Sequence, residues 1–163
     1  MKRKILIVED NVGLSQIQKD WLSRAGYDAV TAMSEPIARS LIRKTQFDLI
    51  LSDVRLPEGD GISLLEWLRK EKKDIPFIIT TEYVSVPDVV RTIKLGARDY
   101  LPKPVHRDYL LELAEDIFHP VATVRKQERQ LFHRTSPMIL KVEKFARPVS
   151  YTHLRAHETR SNL

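Results

Sequence analysis

Cysteine is absent from the 163 residues of this chain. Its absence excludes disulfide bonds, thiolate zinc sites and cysteine nucleophiles. Long apolar runs are missing too, because none approaches the roughly 18 residues that a membrane helix requires. The N-terminal apolar run, Ile5–Val8, ends after four residues at Glu9, which is too short for the apolar core of a signal peptide. We therefore expect a soluble, cytoplasmic protein that does not insert into membranes.

Excess positive charge is also missing from most of the chain. Residues 1–119 contain 18 Lys and Arg against 19 Asp and Glu, whereas residues 120–163 contain 9 against 3, so the net charge of +5 comes from the tail. Nucleic-acid interfaces need clustered positive charge, and the tail has no recognisable reading helix. We expect no direct nucleic-acid binding by this fragment.

Apolar residues make up 42% of the chain and charged residues 30%, a composition that favours one globular domain followed by a tail. In the first 118 residues, short β-like runs alternate with segments of helical period. The predicted strands are Lys4–Val8, Tyr27–Ala32, Phe47–Ser52, Pro76–Thr80 and Asp99–Leu101. Because a helical segment follows each strand, we predict an α/β fold with a doubly wound, five-stranded parallel sheet and helices on both faces.

Apolar side chains at helical spacing mark the faces that we expect to pack on the sheet. They include Ile17 and Leu22 in the first helix and Ile37 in the second. The last two helices are predicted at Val86–Leu95 and Asp108–Phe118.

Chemically reactive side chains follow the predicted strands at their carboxyl ends, where ligands bind in a doubly wound sheet. They are Glu9, Asp10, Asp53, Thr80, Thr81 and Lys103. Clustered carboxylates repel one another unless a cation lies among them, and an oxygen-rich pocket of this kind suits Mg²⁺. With Mg²⁺ bound, an ionised Asp53 could attack a phosphoryl donor and form an aspartyl phosphate. Lys103 would neutralise charge on the phosphoryl oxygens, and Thr81 could donate a hydrogen bond to one of them.

Three segments of the sequence resemble a known family. They read ILIVEDN at residues 5–11, DLILSDVRLPEGDG at 48–61 and KLGARDYLPKP at 94–104. The successive separations of Asp10, Asp53, Thr81 and Lys103 are 43, 28 and 22 residues. In these features residues 1–118 resemble a response-regulator receiver domain of bacterial two-component signalling, in particular the nitrogen-regulator-like subgroup. The resemblance implies a flavodoxin-like strand order, 2-1-3-4-5, and a receiver domain over residues 1–120.

The resemblance assigns the metal and phosphoryl chemistry to particular positions. Asp53 would be the phosphoacceptor, and Asp10 together with Asp53 would ligate Mg²⁺ directly. Glu9 would contribute to the metal site, often through water, and the backbone carbonyl of Arg55 would supply a further ligand. The implied partner is a sensor histidine kinase, which supplies the phosphoryl group.

Further residues would carry the phosphoryl signal to the surface. Lys103 would contact the phosphoryl group, and Pro104 would follow a cis peptide bond. Thr81 and Tyr100 would form the switch pair, in which the hydroxyl moves toward the phosphoryl group and the ring turns inward. This movement would repack the fourth helix, the fifth strand and the fifth helix, the face through which the family commonly forms homodimers.

One residue departs from the family pattern. Glu82 follows the switch threonine, where the family usually has a small residue. Its carboxylate would repel the phosphoryl group, alter access for its hydrolysis, or point into solvent. Assigning the switch to Thr80 would leave the small Thr81 in that position, but the spacings of 28 and 22 residues would be lost. The sequence favours Thr81 and leaves Thr80 as the alternative.

The C-terminal part carries two shorter resemblances. Ser136–Val149 resembles the opening of the ATPase domain in nitrogen-regulator-like transcription activators. Residues 121–148 are therefore interpreted as a linker and the start of a truncated ATPase output domain, although the glycine-rich phosphate loop of such a domain is absent. Residues 149–163 resemble a translated sequencing adapter and are interpreted as a non-biological tail, with an ordinary disordered C-terminus as the alternative.

These features predict a phosphorelay receiver domain that accepts a phosphoryl group on Asp53 and regulates transcription in the full-length protein. It would act as a signalling switch and not as an enzyme, since its only catalysis is its own phosphorylation and dephosphorylation. A dehalogenase-like phosphatase is disfavoured, because Arg55 stands where the acid/base aspartate is needed. The remaining alternative is a phosphorylation-independent docking module with a receiver-like fold, which Glu82 would explain.

Overall fold

Five strands and five helices alternate along residues 1–120, the part of the chain that the computed structural model describes. Strands β1 to β5 are Lys4–Val8, Asp28–Ala32, Leu49–Asp53, Phe77–Thr81 and Asp99–Pro102. Helices α1 to α5 are Val12–Arg24, Glu35–Lys44, Gly61–Lys70, Val86–Lys94 and Arg107–Phe118. None of these helices has the length and apolar character that crossing a membrane requires. The expected linker at 121–148 and tail at 149–163 lie outside the described residues.

The five strands form one parallel sheet in the order β2-β1-β3-β4-β5. The predicted fold class and strand order are therefore confirmed. Side chains of β1, β3 and β4 are buried almost throughout, as expected for central strands that are covered by helices on both faces. Because β1 and β3 are neighbours, the strand order reverses between them, and a crevice for ligands is expected at their carboxyl ends.

Side-chain caps close the first turns of four helices at the carboxyl edge of the sheet. The capping residues, each of which accepts a hydrogen bond from the backbone N–H three positions ahead, are Asn11, Ser34, Asp60 and Ser85. Such a cap satisfies a backbone donor that has no partner within the helix and contributes about 1 kcal/mol. The caps therefore fix the ends of the loops that lead from the strands into these helices.

Two apolar residues that we expected to face the sheet are exposed. Ile17 and Ile37 are 47% and 48% exposed, so these two expectations are wrong. The buried residues are instead Ser15, Gln18 and Leu22 in α1, and Glu35, Ala38 and Ile42 in α2. Both sets have the i, i+3, i+7 spacing of one helix face, and each isoleucine lies on the opposite side. Packing against the sheet decides which face of each helix is buried, and the positions of apolar residues in the sequence do not by themselves reveal that face.

Gly61 packs against the backbone of the last residues of β3. Its N–H donates to the Val54 carbonyl over 2.8 Å. A Cβ at this position would lie 2.2 Å from the Asp53 carbonyl oxygen and 2.8 Å from Oγ of Ser52, closer than real Cβ atoms come. Glycine therefore allows α3 to begin directly against the end of β3.

We expect Gly61→Ala to lower the free energy of unfolding by about 1–3 kcal/mol, because the added methyl group must push α3 away from Asp53. Gly13→Ala is the matched control, since a Cβ there would meet only Oδ1 of Asn11, at 3.5 Å. Alanine at this helical position is expected to stabilise by about 0.5–1 kcal/mol. Urea unfolding followed by circular dichroism measures both changes. Equal stability of Gly61→Ala and the parent would show that the contact relaxes without cost.

Candidate functional site

Five side chains singled out from the sequence meet at the carboxyl edge of the sheet. Glu9 and Asp10 follow β1, Asp53 ends β3, Thr81 ends β4 and Lys103 follows β5. The pairing of β1 with β3 in the centre of the sheet brings the three carboxylates together. The ammonium group of Lys103 reaches them from the far side of β4.

Lys103 is the cation of this site. Its Nζ lies 2.8 Å from Oδ2 of Asp53 and 2.6 Å from Oε1 of Glu9. The side chains of all three residues are at most 10% exposed. Among residues 1–120, Lys103 is the cation that forms ion pairs with Glu9 and Asp53. Because solvent is nearly excluded, removing this ammonium group would leave two buried negative charges uncompensated, which is costly.

Burial and charge act in opposite directions on these groups. Burial raises the pKa of Glu9, Lys103 acts against the rise without cancelling it, and the Asp53 carboxylate adds to it. Burial acts to lower the pKa of Lys103, but its hydrogen bonds to Asp53 and Glu9 outweigh that effect, so the pKa is raised. Lys103 is therefore held in its charged form, whereas ionisation of Glu9 is opposed by its surroundings.

The three carboxylates offer ligand atoms for a divalent cation. One oxygen from each of Glu9, Asp10 and Asp53 lies within 4.8 Å of the others. When all three carboxylates are ionised, the one positive charge of Lys103 leaves an excess of two negative charges. Carboxylate oxygens are ligands that Mg²⁺ prefers, and Asp10 is exposed to solvent. The carboxylate ligand atoms, their negative charge and the exposure of Asp10 to solvent are therefore all suited to binding Mg²⁺.

The backbone of Arg55 lies beside the carboxylate of Asp53. Its N–H donates to Oδ1 of Asp53 over 3.3 Å, which holds the start of the β3–α3 loop against the acidic cluster. The guanidinium group of Arg55 lies over the ring of Tyr83, 4.7 Å from the ring centre. Arg55 therefore contacts the site through its backbone and the β4–α4 loop through its side chain.

Thr81 is buried at the end of β4. Its hydroxyl donates to the Tyr83 carbonyl over 2.8 Å and accepts from the Tyr83 N–H over 3.1 Å. These hydrogen bonds hold the start of the β4–α4 loop. Thr80 is paired with Asp53 in the sheet, and since adjacent strand residues point to opposite faces, the two threonine side chains have different surroundings.

Tyr100 lies on β5 and is 7% exposed. Within residues 1–120, its buried hydroxyl has no hydrogen-bond partner of good geometry. Burial raises the pKa of Tyr100, and the Asp88 carboxylate adds to the rise, while Thr81 and the Ser85 backbone act against it. The hydroxyl therefore lies between Thr81 and the start of α4. The ring is already buried in this structure, and the role of Tyr100 in the switch expected from the sequence stays a prediction.

Two further residues from the sequence prediction flank the site. Glu82 is exposed at the start of the β4–α4 loop. The Lys103–Pro104 peptide bond is cis, and the N–H of Lys103 donates to the Thr81 carbonyl over 2.8 Å. The pairing of β4 with β5 therefore continues up to the residue that carries the ammonium group.

Sequence reasoning missed two residues that contact the loops around the site. Glu35 accepts a hydrogen bond from the Asp60 N–H over 3.0 Å, and Tyr83 lies under the guanidinium group of Arg55. An acidic residue in the first turn of a helix is ordinarily explained by the helix dipole, so the sequence carries no separate signal for Glu35. For Tyr83, the only signal in the sequence is its position two residues after the predicted switch threonine.

Comparisons with known proteins agree with this geometry. The family model for the response regulator receiver domain matches residues 5–115. The transcriptional regulatory protein GlrR of Escherichia coli (strain K12) is 31% identical over 147 residues, which cover 90% of this chain and 33% of that protein. The transcriptional regulatory protein ZraR of Salmonella typhimurium (strain LT2) is 40% identical over 114 residues, which cover 70% of this chain and 26% of that protein. The chain spans about a third or less of the length of these curated relatives.

Solved structures of similar chains have the same fold. The non-phosphorylated HemR receiver domain of Leptospira biflexa matches with a TM-score of 0.68 at 34% identity, covering 75% of this chain and 98% of that one. A CheY-like response regulator receiver domain protein of Methanospirillum hungatei JF-1 matches with a TM-score of 0.69 at 30% identity, covering 80% and 99%. Nearly the whole of each solved chain therefore aligns with this protein.

Removing the charge of Asp10 tests the electrostatics of the cluster. With divalent ions chelated, we expect Asp10→Asn to raise the free energy of unfolding by up to about 1 kcal/mol, because like charges about 4 Å apart in water repel by that amount. With Mg²⁺, the parent should gain stability through binding and Asp10→Asn should gain little. Asp20→Asn, at an exposed carboxylate of α1, should show neither effect. Urea unfolding in EDTA and in Mg²⁺ measures both, and a less stable Asp10→Asn in EDTA would contradict the excess negative charge.

Proposed function

This chain belongs to the response regulator receiver domain family, and from that premise we propose that Asp53 accepts a phosphoryl group from a sensor histidine kinase. The observation that carries the proposal is the contact of the buried Asp53 carboxylate with the Lys103 ammonium group, beside the buried carboxylate of Glu9 and the exposed one of Asp10. This arrangement sets a nucleophilic carboxylate beside a fixed positive charge and two further carboxylates that can hold a metal. The domain is a signalling component and not a classical enzyme.

The transfer uses a carboxylate oxygen of Asp53 as the nucleophile. The oxygen forms a bond to the phosphorus of a phosphohistidine as the phosphorus–nitrogen bond breaks. The electron pair of the broken bond stays on the imidazole nitrogen of the kinase, which takes up a proton. Lys103 remains protonated throughout and neutralises charge on the phosphoryl oxygens. Positioning and electrostatic stabilisation therefore account for the step, as in phosphoryl transfer generally.

Glu9, Asp10 and Asp53, together with the backbone carbonyl of Arg55, are the groups that would hold Mg²⁺. When bound, Mg²⁺ supplies positive charge that stabilises the phosphoryl oxygens. The excess negative charge of the acidic cluster supports this assignment, because uncompensated carboxylates would repel an anionic phosphoryl donor.

Thr81 is proposed to carry the signal out of the site. Its hydroxyl would leave the Tyr83 backbone, to which it is now bonded, and donate to an oxygen of the phosphoryl group on Asp53. Losing that bond would free the start of the β4–α4 loop, next to the buried hydroxyl of Tyr100. Within residues 1–120 that hydroxyl has no hydrogen bond of good geometry, so a rearrangement that gives it one would be favourable. Both observations support a switch that repacks α4, β5 and α5.

The repacked face is proposed to form a homodimer and to control an output domain. Val90 and Ile93 are apolar and exposed on α4, and residues three apart lie on the same side of a helix. The relatives GlrR and ZraR are transcriptional regulators, and the chain covers 33% and 26% of their lengths. We therefore propose that this receiver regulates transcription as part of a longer protein.

Beryllofluoride, which mimics a phosphoryl group on a carboxylate, tests the phosphoacceptor. Titrated in the presence of Mg²⁺ and followed by backbone NMR, the parent should give saturable shifts around Asp53 and along α4. Asp53→Asn should fold as the parent does and give no shifts. A response that survives in Asp53→Asn would move the phosphoacceptor elsewhere. No response in either protein would favour the phosphorylation-independent docking module, and Glu82 would be the first residue to substitute.

The same titration separates the two threonines at the end of β4. Thr81→Val keeps the shape of the side chain but removes the hydroxyl that bonds to Tyr83. We expect the shifts to persist around Asp53 in this variant and to disappear from α4 and β5. Thr80→Val is the matched control, in which the shifts should reach α4 as in the parent. The opposite pattern would assign the switch to Thr80.

A further inference from the structure

Glu35 is a buried carboxylate that the mechanism above does not use. It begins α2 and is 5% exposed. Its Oε1 accepts from the guanidinium group of Arg39, and its Oε2 accepts from the backbone N–H of Asp60 over 3.0 Å. A buried charge requires partners that compensate for its lost hydration. One of the partners of Glu35 thus lies in the β3–α3 loop, residues 54–60.

Glu35 contacts the far end of this loop at three consecutive residues. Besides the bond to Asp60, the backbone N–H of Glu35 donates to the Glu58 carbonyl over 3.2 Å. Gly59 has a φ of +76°, and a Cβ there would lie 1.8 Å from Oε2 of Glu35. The carboxylate therefore occupies the space that a side chain at position 59 would need, and the loop backbone lies directly against it.

The end of the loop that Glu35 holds is paired with the end that reaches the acidic cluster. Asp60 forms an antiparallel bridge with Arg55, and the N–H of Gly61 donates to the Val54 carbonyl over 2.8 Å. Arg55 in turn donates its backbone N–H to Asp53. Holding Asp60 in place therefore also holds the backbone of Arg55.

Arg39 keeps the carboxylate of Glu35 in this position and is itself held by α3. Its guanidinium group lies 5.1 Å from the centre of the Trp67 ring, and that of Arg43 lies 5.3 Å from the same centre. Stacking on an aromatic ring and an ion pair each restrict the movement of a guanidinium group. The side chain of Glu35 is therefore fixed from the side opposite the loop.

We propose that Glu35 is a positioning residue that sets the Arg55 carbonyl for Mg²⁺ and thereby for phosphoryl transfer. This inference rests on the function proposed above. If the acceptor at Glu35 is lost, the loop loosens at Asp60 and the Arg55 carbonyl is no longer held. The carboxylates of Glu9 and Asp53 stay in place, because Lys103 and the sheet hold them. Mg²⁺ then binds more weakly to a site that is otherwise intact.

Mg²⁺ titrations of the full chain, followed by NMR, test the proposal with three variants. Glu35→Ala removes the acceptor, and Glu35→Gln keeps an oxygen of the same reach. Glu58→Ala is the matched control, because it removes an exposed carboxylate from the loop without altering the acceptor of the Asp60 N–H. We expect Glu35→Ala to weaken Mg²⁺ binding about tenfold, as loss of a partner behind a metal ligand commonly does, and the other two variants to stay within about twofold of the parent.

A second measurement needs neither metal nor phosphoryl donor. In chelated protein, amide hydrogen exchange at Asp60 and Arg55 should be faster in Glu35→Ala than in the parent. The NMR signals of Glu9 and Asp53 should stay unchanged. Urea unfolding at several temperatures identifies one at which every variant is fully folded in the absence of urea. The Mg²⁺ titrations are made at that temperature. A role in stability alone would lower the free energy of unfolding and leave the Mg²⁺ affinity of the folded protein unchanged.

Three results would overturn the inference. Equal Mg²⁺ affinity of folded Glu35→Ala and the parent would show that Glu35 does not position the site. If Glu35→Gln lost as much Mg²⁺ affinity as Glu35→Ala, the effect would come from the charge of Glu35 and not from its hydrogen bond to Asp60. If the parent itself bound no Mg²⁺, the proposed function would fail and this inference with it, an outcome that the parent titration alone identifies.

Discussion

A single ammonium group, that of Lys103, holds two buried carboxylates together, and the rest of the site depends on this contact. Asp53 ends β3, Glu9 follows the neighbouring β1, and Lys103 reaches both from the residue after β5 across the carboxyl edge of the sheet. One positive charge is too few for the three carboxylates that meet there. A divalent cation would neutralise the remaining negative charge, so the same repulsion that opposes ionisation of the cluster would favour binding of such a cation.

The two loops beside the site are held in different ways. The β3–α3 loop is fixed by backbone hydrogen bonds, by the close approach of Gly61 to Asp53 and by the buried carboxylate of Glu35. The start of the β4–α4 loop is held by the hydroxyl of Thr81. A hydroxyl can exchange one acceptor for another at small net cost, whereas the backbone contacts of the first loop have no such alternative. The first loop is therefore fixed by its backbone contacts, whereas the second would rearrange if the Thr81 hydroxyl found another acceptor.

Much of the fold could be predicted because it depends on local features of the sequence. The apolar run Ile5–Val8 is too short for a helix, and it lacks the alternation of a strand that has one face in solvent. It lies in β1, an inner strand of the sheet. Ser34 and Pro36 mark the start of α2 by their local chemistry. The exposure of Ile17 and Ile37 could not be predicted from such local features, because the rotation of a helix about its axis depends on what the helix packs against.

Local patterns in the sequence show which reactive residues follow the strands, and in a parallel sheet all such strand ends lie on one edge. Asp53, Glu9 and Lys103 can therefore be assigned to one site from the sequence alone. Three contacts follow from the packing of the folded chain: Lys103 bonds to both carboxylates, the hydroxyl of Thr81 bonds to a loop, and Glu35 lies against Gly59. The physical reason is distance along the chain. Strand ends are fixed by local patterns, whereas contacts such as that of Glu35 with Asp60 arise only when separate elements pack together.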